Sequence, residues 1–356
     1  MNLTSLGYTP NLDRFRTSAQ LEGFEVGRVI IEHKERYIVK TSAGEFDAEI
    51  TGNMRFTAQS REDFPAVGDW VALTVYDQDL AIIQSIFPRS SVIRRQAVGH
   101  DGETQVIAAN IDFAFLVQAV DRDVSINRLE RYLSICFDSG IEPIIILSKT
   151  DLIPEEKLNE ITANVQNRVK DVPVVTLSNE TGSGFDAIDS LILKGKTYCL
   201  LGSSGVGKST LLNRLSGRDL MKTAPISETI QRGRHVTSHR ELIVLENGGI
   251  LIDNPGMREV GTADAGEGLG QTFNAILSLG EKCRFADCTH TSELGCAVLA
   301  AVEEGRIDAA SYENYLKLRR EQAHFETSAA EKRKKDKIFG KMLKDYNQKD
   351  PKQRKS

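Results

Sequence analysis

Residues 145–152 read IILSKTDL, an apolar run that ends in a Lys-x-Asp loop, Lys149-Thr150-Asp151, with Ser148 just ahead of it. A carboxylate there can accept two hydrogen bonds from the edge of a guanine, while the lysine stem covers the ring. Such a base reader ordinarily follows a phosphate loop, yet nothing before residue 145 has the make-up of one. The phosphate loop comes later, as GSSGVGKST at residues 202–210, between the apolar stretch KTYCLLG and the helical stretch STLLNRLSG.

That loop fits G-x-x-x-x-G-K-[ST]. Its residues Gly202, Ser203, Ser204, Gly205, Val206 and Gly207 let backbone wrap round phosphate oxygens at a helix N-terminus. Lys208 is placed for the β- and γ-phosphates, the Ser209 hydroxyl for Mg²⁺, and Thr210 continues the helix. Downstream, ILIDNPG puts Asp253 at a strand end, where it can hold Mg²⁺ through water, and Gly256 completes D-x-x-G, an amide able to sense the γ-phosphate. The polar stretch between them, TAPISETIQRGRHVTSHREL, has the character of a switch, with Thr237 as the Mg²⁺ candidate and Ser238 second.

A second loop, TLSNETGSG, follows the next apolar run and offers Ser178 and Asn179 beside the base, with a backbone amide at Ser178 for the guanine carbonyl. An adenine-nucleotide ATPase fits less well. The LSG at 215–217 follows the phosphate loop too closely to be a separate signature, and Asn254 replaces the carboxylate expected after Asp253. In chain order the parts run base reader, second base loop, phosphate loop, switch, D-x-x-G. Joining the ends of an ordinary GTPase domain and reopening it elsewhere gives that order.

The rest of the chain divides around this core. Residues 22–86 alternate short β-like runs with turn signals, the pattern of a small barrel. FPRSSVIRRQ, with Arg89, Arg94 and Arg95, reads as a linker. Between Leu21 and Arg95 stand nine Lys/Arg and twelve Asp/Glu, so any nucleic-acid surface there is local. From Ile111 the strand–helix–strand rhythm predicts a doubly wound α/β sheet. The expected division is a flexible 1–20, a barrel over 21–97, a GTPase domain over 98–260, a helical metal domain over 261–328 and a basic tail over 329–356.

Cys283-x4-Cys288-x-His290-x5-Cys296 supplies four ligands suited to a closed, structural zinc site. Cys136 and Cys199 lie in apolar segments and read as buried thiols. From Glu331 to Ser356 eleven Lys/Arg face four Asp/Glu, whereas the preceding residues carry 34 basic and 46 acidic side chains. A basic tail on an acidic body suggests an anionic partner. With no apolar run long enough for a bilayer and no signal-peptide pattern at the start, a cytoplasmic protein without membrane attachment is expected.

The motifs together, with AVGDWV in the barrel, RGRH in the switch, DNPGMRE and the Cys/His cluster, resemble the circularly permuted GTPases of the RsgA type, the small-ribosomal-subunit-dependent GTPases. The resemblance spans nearly the whole chain. It implies a multi-domain α/β protein with an OB-fold β-barrel, a circularly permuted P-loop GTPase domain and a C-terminal helical zinc-binding domain. It further implies GTP hydrolysis with Mg²⁺, one structural Zn²⁺, stimulation by the small (30S) subunit with its 16S rRNA during late maturation, and a monomer. It favours His235 as the residue that orients water, since Met257 stands where many GTPases place Gln. Two departures stand out: the family commonly has Asn at Ser148, predicting weaker bridging of base and phosphate loops, and RHVTS replaces a run of threonines. A nucleotide-responsive RNA-binding scaffold with little catalysis is the alternative.

Overall fold

A computed structural model of the chain describes residues 2–33, 36–96, 104–122, 124–217, 240–253 and 266–323. The strands are β1 (Glu25–His33), β2 (Arg36–Thr41), β3 (Glu45–Ile50), β4 (Trp70–Val75), β5 (Leu80–Ile86), β6 (Val92–Gln96), β7 (Thr104–Ala109), β8 (Phe113–Ala119), β9 (Glu142–Ser148), β10 (Val174–Leu177), β11 (Thr197–Leu201), β12 (Arg240–Val244) and β13 (Ile250–Asp253). The helices are α1 (Pro10–Ser18), α2 (Gly52–Thr57), α3 (Ile126–Asp138), α4 (Glu155–Arg168), α5 (Phe185–Leu191), α6 (Lys208–Ser216), α7 (Gly266–Thr272), α8 (Asn274–Gly280) and α9 (Ala297–Glu303), followed by helical residues 309–323.

Strands β1 to β5 close into an OB-like barrel in the order β1-β2-β3-β5-β4, because β1 pairs with both β2 and β4. Alternation along each strand sends Val29, Tyr37, Val39, Phe46, Leu73 and Ile83 into one core. Strand β1 is long enough to leave the barrel: Ile31 and Glu32 pair antiparallel with Glu241 and Arg240 of β12. Barrel and α/β sheet are therefore hydrogen-bonded into one continuous ladder.

The α/β sheet runs β10-β9-β8-β11-β13-β12, parallel except for the β12–β13 pair. The period of two divides the strand residues between two cores. Ala114, Leu116, Ile145, Leu147, Cys199 and Leu201 join Leu129, Leu133 and Val165 of α3 and α4 on one face. Phe115, Val117, Ile144, Ile146, Tyr198 and Leu200 join Ile188, Leu211 and Leu212 of α5 and α6 on the other. Burial on both faces explains the unbroken apolar runs in the sequence. Cys136 and Cys199 are fully buried, and burial pushes both thiols well above the usual range, as inert core residues.

Two segments differ from the sequence expectation. Residues 3–18, expected to be flexible, form a 3₁₀ turn and α1; Leu6 is fully buried, and Tyr8 and Phe15 pack on Trp70 and Phe87. The linker after residue 87 contains β6, which pairs with β7 as a separate two-stranded sheet. Two of its arginines are engaged by the barrel. Arg89 donates to both carboxylate oxygens of buried Asp69 at 2.8 and 2.7 Å, and Arg94 meets Glu62 at 3.1 Å.

Arg28 joins three segments at once. Its guanidinium, almost wholly buried, donates to the carbonyls of Leu6 at 2.6 Å, Gly68 at 3.0 Å and Asn110 at 3.0 Å. Burial lowers its pKa to about 10, so it stays charged at neutral pH. Arg28→Met should strand those carbonyls and cost about 3–5 kcal/mol, read as a lowered unfolding midpoint.

The C-terminal unit has its own core of Leu269, Phe273, Ile276, Val298, Ala301, Tyr315 and Leu318. It seats on α3, where Gly268 lies so close that a Cβ would meet the Ser134 carbonyl at 2.0 Å. Buried Glu130 of α3 accepts from Arg168 at 2.8 Å, Ser311 at 3.0 Å and Asn314 at 2.7 Å, tying α3, α4 and the last helix together.

Candidate functional site

Strands β9, β10, β11 and β13 are mutually parallel through β8 and β11, so Ser148, Leu177, Leu201 and Asp253 end on one edge. Ligand crevices of open α/β sheets form at that edge. The loop after β11 is shaped by its glycines. Gly202 has φ +151° with the Val117 carbonyl 2.3 Å from where a Cβ would stand, and Gly207 (φ +92°) opens α6 from the left-handed region. Lys208 Nζ donates to the carbonyls of Gly202 at 2.7 Å and Ser203 at 2.6 Å, lying across the loop. An ammonium inside a glycine-rich turn at a helix N-terminus can bind an anion of the phosphate class.

The base corner is built from β9 and β10. Ser148 is fully buried, and its Oγ donates to the Val206 carbonyl at 2.7 Å, joining the base loop to the phosphate loop. β9 brings Ser148 close enough for its short hydroxyl to make this bond directly. Lys149 adopts left-handed φ +62°, and its Nζ meets Asp121 Oδ2 at 2.8 Å. Thr150 and Asp151 form a 3₁₀ turn with Leu152. Asp151 Oδ1 accepts a short hydrogen bond from Ser178 Oγ, which fixes the carboxylate. The Ser178 amide donates to the Ser183 carbonyl at 3.0 Å, so it is taken and not available to a base. Asn179 reaches the phosphate loop from the other side, its Nδ2 3.4 Å from the Gly207 carbonyl and its own carbonyl held by Arg214 at 2.9 Å. Arg214 in turn lies over the Phe185 ring at 3.9 Å.

In the C-terminal unit, Cys283, Cys288, His290 and Cys296 bring their donor atoms within 4.8 Å of one another. Cys283 Sγ and Cys296 Sγ are 3.8 Å apart, and each lies 3.6 and 3.5 Å from His290 Nδ1. A tetrahedral ion with metal–sulfur and metal–nitrogen bonds of about 2.3 and 2.0 Å sets those separations at about 3.8 and 3.5 Å. Burial and then the charge of Arg319 lower the His290 pKa, favouring the neutral ring that ligates. Burial raises the Cys288 thiol to about 11; at Cys283 burial is outweighed by the Ala297 and Val298 amides and the neighbouring thiols, and the pKa falls. The four residues could hold a metal ion.

Comparison with known proteins bears on the whole arrangement. Residues 86–263 match the family model described as RsgA GTPase. A protein of Opitutus terrae named small ribosomal subunit biogenesis GTPase RsgA is 40% identical over 337 residues, covering 91% of this chain and 90% of that protein. The chain belongs to the RsgA GTPase family. A second RsgA relative, from Bacteroides thetaiotaomicron, is 38% identical and covers 96% of both chains. The crystal structure of YjeQ from Thermotoga maritima superposes with a TM-score of 0.61 at 25% identity, covering 84% of this chain and 98% of that one. YloQ, described as a circularly permuted GTPase, gives 0.60 at 26% identity, covering 85% and 96%.

In this RsgA-family chain the expected residues Ser148, Lys149, Thr150, Asp151, Ser178, Asn179, Gly202 to Thr210 and Asp253 come together at the one sheet edge. Gly256, His235, Thr237 and Ser238 lie outside the described residues. Two contributors went unnoticed in the sequence. Asp121 holds Lys149, and its signal is a carboxylate directly after the strand beside the base reader. Arg214 props the second base loop, and nothing in a helical arginine announces that. Removing the buried Ser148 hydroxyl leaves the Val206 carbonyl short of a donor. Ser148→Ala should therefore weaken fluorescent GDP binding about tenfold, measured by titration.

Proposed function

We propose that this chain hydrolyses GTP in the biogenesis of the small ribosomal subunit, as the names of its relatives state for those proteins. The observation that carries the reading is the meeting of a Lys-x-Asp base reader on β9 with a later phosphate loop after β11, the two joined by the Ser148–Val206 bond. Asp151 accepts from the guanine edge, Lys149 covers the ring, and Asn179 supplies the amide for the guanine carbonyl in place of Ser178. Lys208 and the amides of Gly202 to Thr210 hold the phosphates. Ser209, Thr237 and Asp253 would hold Mg²⁺, which would offset charge on the β- and γ-phosphates, and Gly256 would sense the γ-phosphate. Water, oriented by His235, attacks the γ-phosphorus; the bond to the β–γ bridging oxygen breaks, and GDP leaves with that electron pair.

Cys283, Cys288, His290 and Cys296 hold one structural zinc, a set with no open position for a substrate. The barrel over 21–97, the permuted GTPase domain over 98–260 and the zinc domain over 261–328 act as a clamp on the 30S subunit and its 16S rRNA. The basic segment 329–356 adds salt-sensitive affinity. No helix of the described residues is long and apolar enough to cross a membrane, and a monomer in the cytoplasm is the form proposed. The test is phosphate release from GTP with and without purified small subunits. Turnover should be slow alone and rise at least tenfold with subunits; subunit binding that follows the nucleotide without acceleration would make the chain a scaffold.

A further inference from the structure

The connection from β8 to α3 does more than hold Lys149. It carries two arginines to the phosphate loop. The Arg122 guanidinium lies against Gly205, its Nη2 3.3 Å and Nη1 3.7 Å from where a Cβ at 205 would stand. Arg128 Nη1, one turn into α3, comes 3.5 Å from Ser203 Oγ. The charges of these arginines are little used within the protein. Arg122 meets Asp121 Oδ1 only at 3.9 Å, while the other oxygen of that carboxylate holds Lys149 at 2.8 Å, and Arg128 forms no ion pair among the described residues. Both arginines are exposed to solvent, Arg122 with 53% of its side chain accessible, so their guanidinium forks remain open to an anion bound on the adjoining loop.

The helix that carries Arg128 is anchored at several points. Ser125 Oγ caps α3 by accepting from the Arg128 amide, and two residues further on Glu130 fixes the helix to α4 and the C-terminal unit. Asp121, by pairing with Lys149, sets the backbone from which Arg122 departs. A glycine at 205 leaves the space that the guanidinium occupies; any side chain there would sit within 3.3 Å of it.

The geometry points to Arg122 as an arginine that acts in cis on the terminal phosphates of bound GTP, with Arg128 as its neighbour on the same loop. Such a cation offsets charge that gathers on the transferred phosphoryl oxygens as the bond to GDP lengthens. This rests on the GTPase reading above and adds to it a source of transition-state charge that the chain itself supplies.

The test uses the full-length protein with fluorescent GDP, then adds aluminium fluoride, which together with GDP mimics the transferring phosphoryl group. Arg122→Ala should bind GDP within about threefold of the original protein, which also shows that it folds. It should fail to form the fluoride complex, and its GTP turnover should fall about a hundredfold. Arg122→Lys, which keeps the charge but loses the planar fork, should recover no more than about a tenth of the turnover. Arg128→Ala should weaken the fluoride complex while sparing GDP.

Fluoride complexes and turnover unchanged in both alanine variants would overturn the inference. So would an equal loss of GDP and fluoride complex, since that marks a merely structural loop. If the unsubstituted protein bound no guanine nucleotide, the GTPase reading itself would fail, and that outcome is distinct from either.

Discussion

Asp151→Asn is expected to weaken GTP and GDP binding by a factor on the order of 10² to 10³ and to admit xanthosine nucleotides, which the unsubstituted chain should reject. Guanine presents two adjacent donors, its N1–H and its exocyclic amine, and a carboxylate accepts both. An asparagine offers one acceptor and one donor, so one bond is lost and an N–H faces an N–H. The surroundings decide which atom faces which. Ser178 Oγ donates to Asp151 Oδ1, so the asparagine oxygen is held on the serine and its amide turns to the base. Xanthine replaces the exocyclic amine with a carbonyl and would accept from that amide. Paired titrations with fluorescent guanosine and xanthosine diphosphates measure the exchange; equal guanosine affinity in the two proteins would remove Asp151 from the base site.

Loss of a metal held by Cys283, Cys288, His290 and Cys296 is the second large effect expected. Cys288→Ser, or extraction of the ion by a strong chelator, should unfold residues 266–323 as a separate transition at lower temperature, because the unit's core is small and built round the ligands. Cys288 and Cys296 are themselves part of that core, beside Phe273, Ile276 and Tyr315. Structural zinc contributes apparent binding energies of about 10–16 kcal/mol in small metal domains, far beyond what ten buried residues can replace. Metal analysis should give one zinc per chain before and none after. GDP affinity should change by less than about threefold, since among the described residues the cluster's hydrogen bonds stay within the C-terminal unit. A chain that lost its zinc yet kept a single unchanged unfolding transition would show that the ion is not structural.

How much of this was legible in the sequence follows from how local each signal is. The phosphate loop, the base reader and the Cys/His cluster are short patterns whose chemistry depends on neighbouring residues, and the strands around them are continuous apolar runs because both sheet faces are covered. The permuted order needed only the positions of residues 149–151 and 202–210. The β6–β7 pair was hidden because VIRRQ places two arginines in the strand, of which Arg94 meets Glu62, so its polarity resembles a linker. The ordered start of the chain was missed for a related reason: Leu6, Leu12 and Phe15 are few and spaced among polar residues, and their burial depends on Trp70 and Phe87 far along the chain. Contacts between distant elements left little local trace, at most a suitable residue type such as a carboxylate after a strand. Asp121 on Lys149, Arg122 at Gly205 and Arg28 on three carbonyls are visible only once the strands are assembled. Ser148 shows the converse. Composition marks it as a weak substitute for Asn, and only the 2.7 Å bond to Val206 reveals that the tie is made.

If segments in permuted order form one guanine-nucleotide site, fluorescent GDP bound to the chain should be displaced by unlabelled GTP and not by ATP. Displacement by GTP is expected at concentrations comparable to the probe's own dissociation constant, and none by ATP at a thousandfold higher concentration, because the adenine edge presents an acceptor where Asp151 needs a donor. Equal displacement by the two nucleotides would contradict it.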